Sequence, residues 1–329
     1  MKYDLKKLGQ GRIGVIGDFC LDVYWQADMT KSELSRETPH FPLPIVGERL
    51  SPGGAGNVVM NVLALEPKSV AAIGVFGDDW RGAALKDLLK RAGADISGVV
   101  TDATRVTNTY IKPLRKGFAE NVVYEDPRLD FTNYDALGVA TEKKLIAALE
   151  KLAKKIDVLC VCDQMPYGCV TPAVREKIVS LGRKGLVVIV DSRDRIGLYS
   201  DVIVKPNEIE SARAFKGAIP ETAFEKLAAA LEERTGRPAN VTAGDKGCYV
   251  SERGKVVHVK ACKVTGEIDF CGAGDTFLSG LAVSTAAGFG LSDAATIACC
   301  CSAVTIKKLK TTGTASRLEL ERALKGYAR

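Results

Sequence analysis

The chain has 329 residues, 46% of them hydrophobic, and a formal net charge of +6. This length suits one large α/β domain or two smaller ones, and no apolar run approaches the ~20 residues of a membrane span. The charge is mild and spread along the chain, which weakly supports phosphate-bearing ligands and argues against a nucleic-acid partner. The residues after Met1 do not begin a signal peptide, so a cytoplasmic protein is expected.

The first predicted strand covers residues 12–17, and a carboxylate that could bind a ligand follows it. Asp22 falls just past the carboxyl end of this strand, where ligands bind in open parallel sheets. It could accept hydrogen bonds from sugar hydroxyls, or it could belong to an ordinary loop, since aspartate is a common turn residue. Residues 23–50 lack helical periodicity and contain three prolines, so we predict a small extended flap there.

A glycine-rich segment then leads into an apolar helix predicted at 58–65. Gly53, Gly54 and Gly56 allow the backbone to approach a polar ligand closely, and Asn57 offers both a donor and an acceptor. A tight loop-to-helix turn would need one glycine. Three glycines therefore favour a ligand contact.

From residue 69 onward, apolar strands alternate with helices. This alternation predicts a doubly wound, mainly parallel sheet with helices on both faces. Polar residues follow the strands at 158–162, 186–190 and 202–204, and Asp163 and Asp191 are two of them. Because the carboxyl ends of parallel strands meet at one edge, a site is expected there, with Asp163 as a candidate substrate contact.

Residues 104–131 break the alternation. They contain β-prone stretches on either side of a basic turn at 112–116, which predicts a hairpin-like pair and a second piece of the flap.

Two further segments at this edge have both a ligand-binding and a structural interpretation. Asn207 and Glu210 lie i, i+3 on one helical face and could hold Mg²⁺ through water, or they could be a helix cap with an acidic first turn. The turn at Gly244 and Gly247 could accommodate a nucleotide, or it could simply begin the hairpin predicted at 248–260.

The most specific stretch is 269–277. Gly272, Ala273 and Gly274 open a predicted buried helix, so their N–H groups form an anion hole at the positive end of the helix dipole. A carboxylate beside a bound phosphate is unfavourable, so Asp275 makes sense as the base that takes a proton from an attacking hydroxyl. The residues therefore predict a small-molecule kinase.

Ten cysteines and two histidines are present. The cysteines fall in predicted strands and helices without paired CxxC spacing, so we expect reduced, buried thiols and no zinc site.

Five motifs together resemble the ribokinase (PfkB) family of carbohydrate kinases over essentially the whole chain. They are the segments 17–22, 52–57, 205–210, 242–247 and 269–277. The resemblance implies a single ribokinase-like kinase domain over 1–329, with an α/β core and a small β lid. The lid would consist of residues about 20–50 and about 104–131. In this family the lid often helps to form a dimer, so the resemblance implies a homodimer. ATP would be the phosphate donor, with Mg²⁺.

The same resemblance implies a role for each matched residue. Asp275 would be the catalytic base, and Gly272, Ala273 and Gly274 would form the anion hole. Sugar contacts would come from Asp22, Gly53, Gly54 and Asn57, nucleotide contacts from Lys205, Asn207, Thr242, Gly244 and Gly247, and water-mediated Mg²⁺ contacts from Asn207 and Glu210. Many members bind a monovalent cation such as K⁺ beside the anion hole, which makes Asp269 a possible ligand. Cys271 stands there where a threonine is usual.

Within this family, the sequence is similar to the D-glycero-D-manno-heptose-7-phosphate kinase domain of ADP-heptose synthesis enzymes. The similar segments are 17–25, 35–39, 53–61 and 128–131. The chain ends where that kinase domain ends, so no adenylyltransferase is expected. A phosphorylated sugar needs cations, for which Arg36, Lys112, Arg115, Lys116 and Arg128 are candidates, although all five could be solvated lid charges. The alternatives are a hexose, pentose or nucleoside kinase of the family, or a catalytically idle sugar- or nucleotide-binding regulator.

Overall fold

Two β-sheets and nine α-helices make up the part of the chain that the structure, a computed structural model, describes: residues 3–117, 123–309 and 311–327. Residues 118–122 of the second predicted lid segment lie outside these ranges. The strands are β1 (Arg12–Gly17), β2 (Phe19–Asp28), β3 (Ile45–Gly54), β4 (Ser69–Gly77), β5 (Asp95–Asp102), β6 (Thr109–Lys116), β7 (Val123–Glu125), β8 (Leu129–Phe131), β9 (Val158–Asp163), β10 (Val187–Ser192), β11 (Ile203–Val204), β12 (Ala239–Thr242), β13 (Cys248–Glu252) and β14 (Lys255–Val259). The helices are α1 (Ala55–Ala64), α2 (Trp80–Arg91), α3 (Val139–Ala153), α4 (Pro172–Arg183), α5 (Glu208–Ala214), α6 (Phe224–Thr235), α7 (Ala273–Ala286), α8 (Leu291–Thr305) and α9 (Arg317–Tyr327).

The larger sheet confirms the predicted α/β class. Its order is β14-β13-β12-β11-β10-β9-β1-β4-β5, and the strands from β12 to β5 in this order run parallel. The β13–β14 hairpin is antiparallel at one edge, as predicted.

Helices cover both faces of this sheet, which explains why its central strands are apolar throughout. Along β9, Cys160 and Cys162 belong to the hydrophobic cluster formed with α1, α7 and α8. Leu159 and Val161 belong to the opposite cluster, formed with α3, α4 and α6. Side chains alternate between faces along a strand, so a strand buried on both faces reads as one continuous hydrophobic run.

Both segments that were predicted to form the lid contribute strands to the smaller sheet, which we call the lid. β2 pairs antiparallel with β3 and parallel with β6, and β6 also pairs with β7 and β8. The predicted start of the following helix is wrong by three residues, because α1 begins at Ala55. Gly53 and Gly54 are therefore the last residues of β3, and no separate loop links the lid to α1.

Asp18 joins the two sheets. It lies between β1 and β2, and its carboxylate accepts hydrogen bonds from the N–H groups of Gln164, Met165 and Cys169 at 2.7–2.9 Å. Burial raises the pKa of Asp18 to about 6, against the opposing effect of these hydrogen bonds. The interaction fixes the loop after β9 beside the point where the chain enters the lid.

All ten cysteines are free thiols, and Cys160, Cys162 and Cys299–Cys301 occupy a strand and a helix as predicted. In the described ranges, every helix is too short or too polar to cross a bilayer.

Candidate active site

A buried ion pair lies at the carboxyl edge of the larger sheet. Lys205 Nζ is 2.9 Å from Asp191 Oδ2, and the two side chains are only 3% and 9% exposed. Burial disfavours the charged lysine, but attraction to Asp191 and Glu210 outweighs burial, so the pKa of Lys205 is raised. A Cβ built on Gly274 would lie 3.7 Å from Lys205 Nζ, so the ammonium faces the first turn of α7.

The first turn of α7 has the geometry expected of an anion hole at Gly274 and Asp275, but the N–H of Ala273 is already used within the protein. Gly272 precedes the helix with φ +79°, and a Cβ there would lie 2.7 Å from Asn57 Nδ2, so both backbone and space require glycine. The N–H of Ala273 donates to the carbonyl of Phe270 at 3.1 Å. The first intrahelical hydrogen bond is donated by the N–H of Thr276 to the carbonyl of Gly272 at 3.0 Å, so the N–H groups of Gly274 and Asp275 have no intrahelical acceptor and can face an anion.

Asp275 lies one residue further along this turn and is partly exposed. Asn57 Nδ2 donates to Asp275 Oδ2 at 2.7 Å. Burial raises the pKa of Asp275 to about 6, the Asn57 hydrogen bond opposes the rise, and the Asp191 charge adds to it. The carboxylate is therefore a stronger base than an exposed aspartate, while still ionised at neutral pH. Asn57, predicted as a sugar contact, is 2% exposed and is the partner of Asp275.

The lid turns one face toward this site, and Asp22 lies on it. The strand register places Asp22 beside Tyr110, and Tyr24 between Arg49 and Lys112. Since side chains alternate along each strand, all five lie on the same face. Arg49 Cζ is 3.9 Å, and Lys112 Nζ 5.0 Å, from the centre of the Tyr24 ring.

Three cations surround the Asp22 carboxylate. Burial raises the pKa of Asp22, and the charges of Lys112, Arg128 and Arg49 oppose the rise. Arg128 stacks over the Tyr110 ring at 4.4 Å and pairs with Asp130 at 2.6 and 2.7 Å. We refer to Arg49, Lys112 and Arg128 as the lid cation cluster.

The sequence indicated only part of this cluster. It named Lys112 and Arg128 but missed Arg49, which the β2–β3 register brings beside Tyr24. Arg115 instead pairs with Asp126 at 2.7 Å, and Arg36 and Lys116 are exposed outside the cluster.

Arg193 is a second cation that the sequence reading missed. Burial raises the pKa of Tyr110 in the lid and of Glu210 at α5, and the charge of Arg193 opposes the rise at both groups. Arg193 is therefore near both the lid and the start of α5. Its position two residues after Asp191 was the available signal.

The structure corrects the prediction that Asp163 contacts substrate. Asp163 is 1% exposed, and Arg195 Nε lies 3.1 and 3.0 Å from the two oxygens of its carboxylate. Ser192 and Tyr199 donate hydroxyl hydrogen bonds to the same carboxylate at 2.8 and 2.9 Å. Protein donors thus satisfy Asp163, whose role is to hold Arg195.

Asn207 and Glu210 form a capping box at the start of α5. This confirms one of the two roles predicted for the pair, the helix cap. Glu210 N–H donates to Asn207 Oδ1 at 2.8 Å, and Asn207 N–H donates to Glu210 Oε2 at 2.9 Å. Within the described ranges, Glu210 Oε1 takes part in no hydrogen bond. One carboxylate and one amide suit a Mg²⁺ that keeps most of its waters, so these residues also fit the metal role.

The predicted nucleotide turn lies beside this cap. Thr242 forms a parallel bridge with Asn207, and its N–H donates to Pro206 at 3.0 Å. Gly244 and Gly247 have φ of +54° and +94°. A Cβ on Gly247 would lie 2.1 Å from the carbonyl oxygen of Val259, so packing alone requires glycine there.

Asp269 stabilises the loop that leads to the first turn of α7. Cys271 N–H donates to Asp269 Oδ1 at 3.0 Å, and Asp269 N–H donates to Ile306 at 2.8 Å. Cys271 itself is exposed. A monovalent cation at Asp269 stays a prediction.

The chain matches a known protein family and known relatives. Residues 30–317 match the model of the pfkB family of carbohydrate kinases. The bifunctional protein HldE of Gluconobacter oxydans is 33% identical over 95% of the chain and 64% of its own length, and that of Caulobacter sp. is 33% identical over 90% and 59%. The chain thus spans about 60–65% of the length of the curated relatives it matches.

Solved structures share the fold at low identity. Phosphofructokinase-2 from Escherichia coli superposes with a TM-score of 0.74 at 18% identity, covering 97% of this chain and 100% of its own. A ribokinase from Thermotoga maritima gives a TM-score of 0.67 at 20% identity, covering 96% and 99%.

We expect kcat/KM of the catalysed reaction to fall below pH 6, about tenfold per pH unit, because protonated Asp275 cannot accept a proton. A pH–rate profile measures this. Phosphate groups of the substrates also titrate near pH 6, so Asp275→Asn is the control. The variant should lose a factor of about 10²–10⁴ in rate. Its residual activity should lack that part of the low-pH decrease in rate (the acid limb of the profile) that is due to Asp275. An unchanged limb or near-normal activity would contradict the role.

Proposed function

This chain belongs to the pfkB family of carbohydrate kinases, and from that premise we propose that its substrate is a sugar already carrying a phosphate, with heptose 7-phosphate the first candidate. The ATP-dependent phosphorylation of a sugar follows from the family. The finer proposal concerns the acceptor, and the lid cation cluster is the observation that carries it.

A neutral sugar does not require three cations around its binding face. Asp22 can offset one positive charge, and Asp130 pairs with Arg128. Within the described ranges, Arg49 and Lys112 approach the Tyr24 ring and Asp22 without forming a salt bridge, and Lys112 also lies near Cys271. One net positive charge is left on the lid face, and Arg193 would add a second. A phosphate dianion would balance these two charges through charge-assisted hydrogen bonds.

The choice of heptose 7-phosphate rests on similarity. The segments 17–25 and 128–131 resemble those of heptose-7-phosphate kinases, and Asp22, Tyr24, Arg128 and Asp130 of these segments lie on the lid face described above. The HldE relatives are about one third identical over nearly the whole chain.

The mechanism assigns a task to each group at the sheet edge. Asp275 accepts the proton of the attacking hydroxyl, while the first-turn N–H groups of α7 and the Lys205 ammonium stabilise negative charge on the transferred phosphoryl group. The lid excludes water that would otherwise hydrolyse ATP. Mg²⁺ bound with ATP would neutralise phosphate charge, and Asn207 and Glu210 would hold it through water.

Replacement of Lys112 by methionine tests the acceptor. We expect Lys112→Met to lower kcat/KM for heptose 7-phosphate by about 10–100-fold, because a desolvated hydrogen bond to a charged group is lost. The loss for unphosphorylated heptose should be less than about threefold. ADP release measured with both sugars checks this.

Lys31→Met is the matched control, since Lys31 is a lid lysine with 62% of its side chain exposed. It should behave as the wild type with both sugars. Equal losses for the two sugars in Lys112→Met would contradict a phosphate contact. A screen in which other sugar phosphates outcompete heptose 7-phosphate would move the proposal to another acceptor.

The metal role of Glu210 is separable from its capping role. Glu210→Gln keeps an oxygen for the Asn207 N–H, so the capping box survives, while the negative charge is lost. We expect the Mg²⁺ concentration for half-maximal rate to rise by about tenfold. Glu208→Gln, in the same first turn of α5, should leave it unchanged. Identical Mg²⁺ dependence in both variants would leave Glu210 a capping residue only.

We also propose a homodimer formed through the lid. Among the described strands, β3 pairs on one side only, with β2, and Val46 on it is 55% exposed. Phe41 and Tyr124 of the lid are 60% and 66% exposed. An unpaired edge with exposed apolar side chains is a template for pairing with another chain. Sedimentation equilibrium should give a dimer for the wild type and a monomer for Val46→Lys, and a wild-type monomer would contradict the proposal.

A further inference from the structure

A series of hydrogen bonds connects α1 to the Asp275 carboxylate. Thr276 Oγ1 donates to Asn61 Oδ1 at 3.0 Å, and Asn61 Nδ2 donates to Asn57 Oδ1 at 3.1 Å. Asn57 Nδ2 then donates to Asp275 Oδ2 at 2.7 Å. Asn57 and Asn61 are one helical turn apart on α1, so both face α7.

The backbone carbonyl of Asn57 fixes the direction of this series. A carbonyl oxygen can only accept, and Asn61 Nδ2 lies 3.0 Å from it, so the amide nitrogen of Asn61 must point toward Asn57. Asn61 therefore also presents a donor to Asn57 Oδ1, which turns Asn57 Nδ2 toward Asp275. If the Asn57 amide were reversed, its oxygen would face the carboxylate and its nitrogen would face another donor.

Water cannot replace these interactions in the folded protein. Asn57 is 2% exposed, and Asn61 and Thr276 are each 1% exposed. Buried polar groups without a partner are strongly disfavoured, so the orientation of one amide determines the next.

We propose that Asn61 is a positioning residue of the reaction: acting through Asn57 and without contact to substrate, it keeps a hydrogen-bond donor directed at Asp275. The inference rests on the proposed role of Asp275 as the base. A donor held against a carboxylate stabilises its ionised form. Without Asn61, the Asn57 amide is free to turn its oxygen toward Asp275, and the carboxylate then holds its proton to higher pH.

Other charged and titratable groups face Asp275 from the surrounding elements, and the variants below leave all of them in place. They are Cys20 and Asp22 on β2, Cys162 on β9, Asp191 on β10, Lys205 after β11 and Cys271 before α7.

The test is the pH profile of Asn61→Leu, a substitution of similar size without hydrogen-bonding groups. The assay is ADP release with the sugar that gives the highest wild-type rate. We expect the acid limb of kcat/KM to move up by about one pH unit, with about a fivefold loss at about pH 6 and less than a twofold loss at about pH 8, where Asp275 is ionised in both proteins. KM for ATP should not change. Substrate titrations cancel because both proteins use the same substrates.

Ser279→Ala is the matched control. Ser279 is fully buried at the same α1–α7 interface, and its hydroxyl lies 2.7 Å from the backbone carbonyl of Asp275 and 3.1 Å from that of Val58. It therefore contacts the backbone of Asp275 but not its carboxylate, and it takes no part in the series from Asn61 to Asn57. Its acid limb should coincide with that of the wild type. Asn61→Ala, which adds no bulk, is the second variant should Asn61→Leu fail to fold, and it should move the limb in the same direction.

The outcomes separate the two proposals. A limb that stays in place in folded Asn61 variants, with or without a pH-independent loss of rate, overturns the positioning role. A wild-type limb that persists unchanged in Asp275→Asn overturns the base itself, whatever the Asn61 variants do.

Discussion

The active-site edge depends on the buried ion pair between Lys205 and Asp191. Several carboxylates converge there because parallel strands end together, and burial raises the pKa of Asp275, Glu210 and Asp22. The Lys205 charge offsets those of Asp275 and Glu210 in addition to that of its partner. Removing one member of such a pair costs about 3–5 kcal/mol, since the other is left buried and uncompensated. The same ammonium lies beside Gly274, so the charge that stabilises the edge is also available to an incoming phosphate.

The lid and the core contribute opposite charges to one cleft. On the core side are Asp275 and the capped start of α5, and on the lid side is the lid cation cluster with Asp22 at its centre. β2 leaves the core at Asp18, and β3 returns directly into α1 at Ala55, so the lid strands and the helix that carries Asn57 form one continuous segment. A sugar bound by the lid, as proposed, would thereby lie next to the helix whose Asn57 donates to Asp275.

The sequence was sufficient for features that arise locally and insufficient for those that arise from distant pairs. Continuous apolar strands predicted the parallel sheet because both of its faces are covered, and the glycine turn before Asp275 predicted the start of α7. The partner of Asp275 is Asn57, 218 residues away, and no periodicity encodes such a pair. Asp163 was misassigned for the same reason, because Arg195 comes from the loop after another strand. Arg49 became visible only through the register of β2 with β3.

Three glycines, of which Gly53 and Gly272 lie in the matched motifs and Gly168 outside them, have a common property that concerns volume. A Cβ on Gly53 would lie 2.6 Å from Asp22 Oδ2, one on Gly272 would lie 2.7 Å from Asn57 Nδ2, and one on Gly168 would lie 2.1 Å from Asp18 Oδ1. In each case the space belongs to a polar side chain from a different part of the chain. Tertiary packing therefore requires glycine at these positions of the sequence. A methyl group at Gly53 or Gly168 would displace a carboxylate, and one at Gly272 would displace the Asn57 amide in addition to straining the backbone.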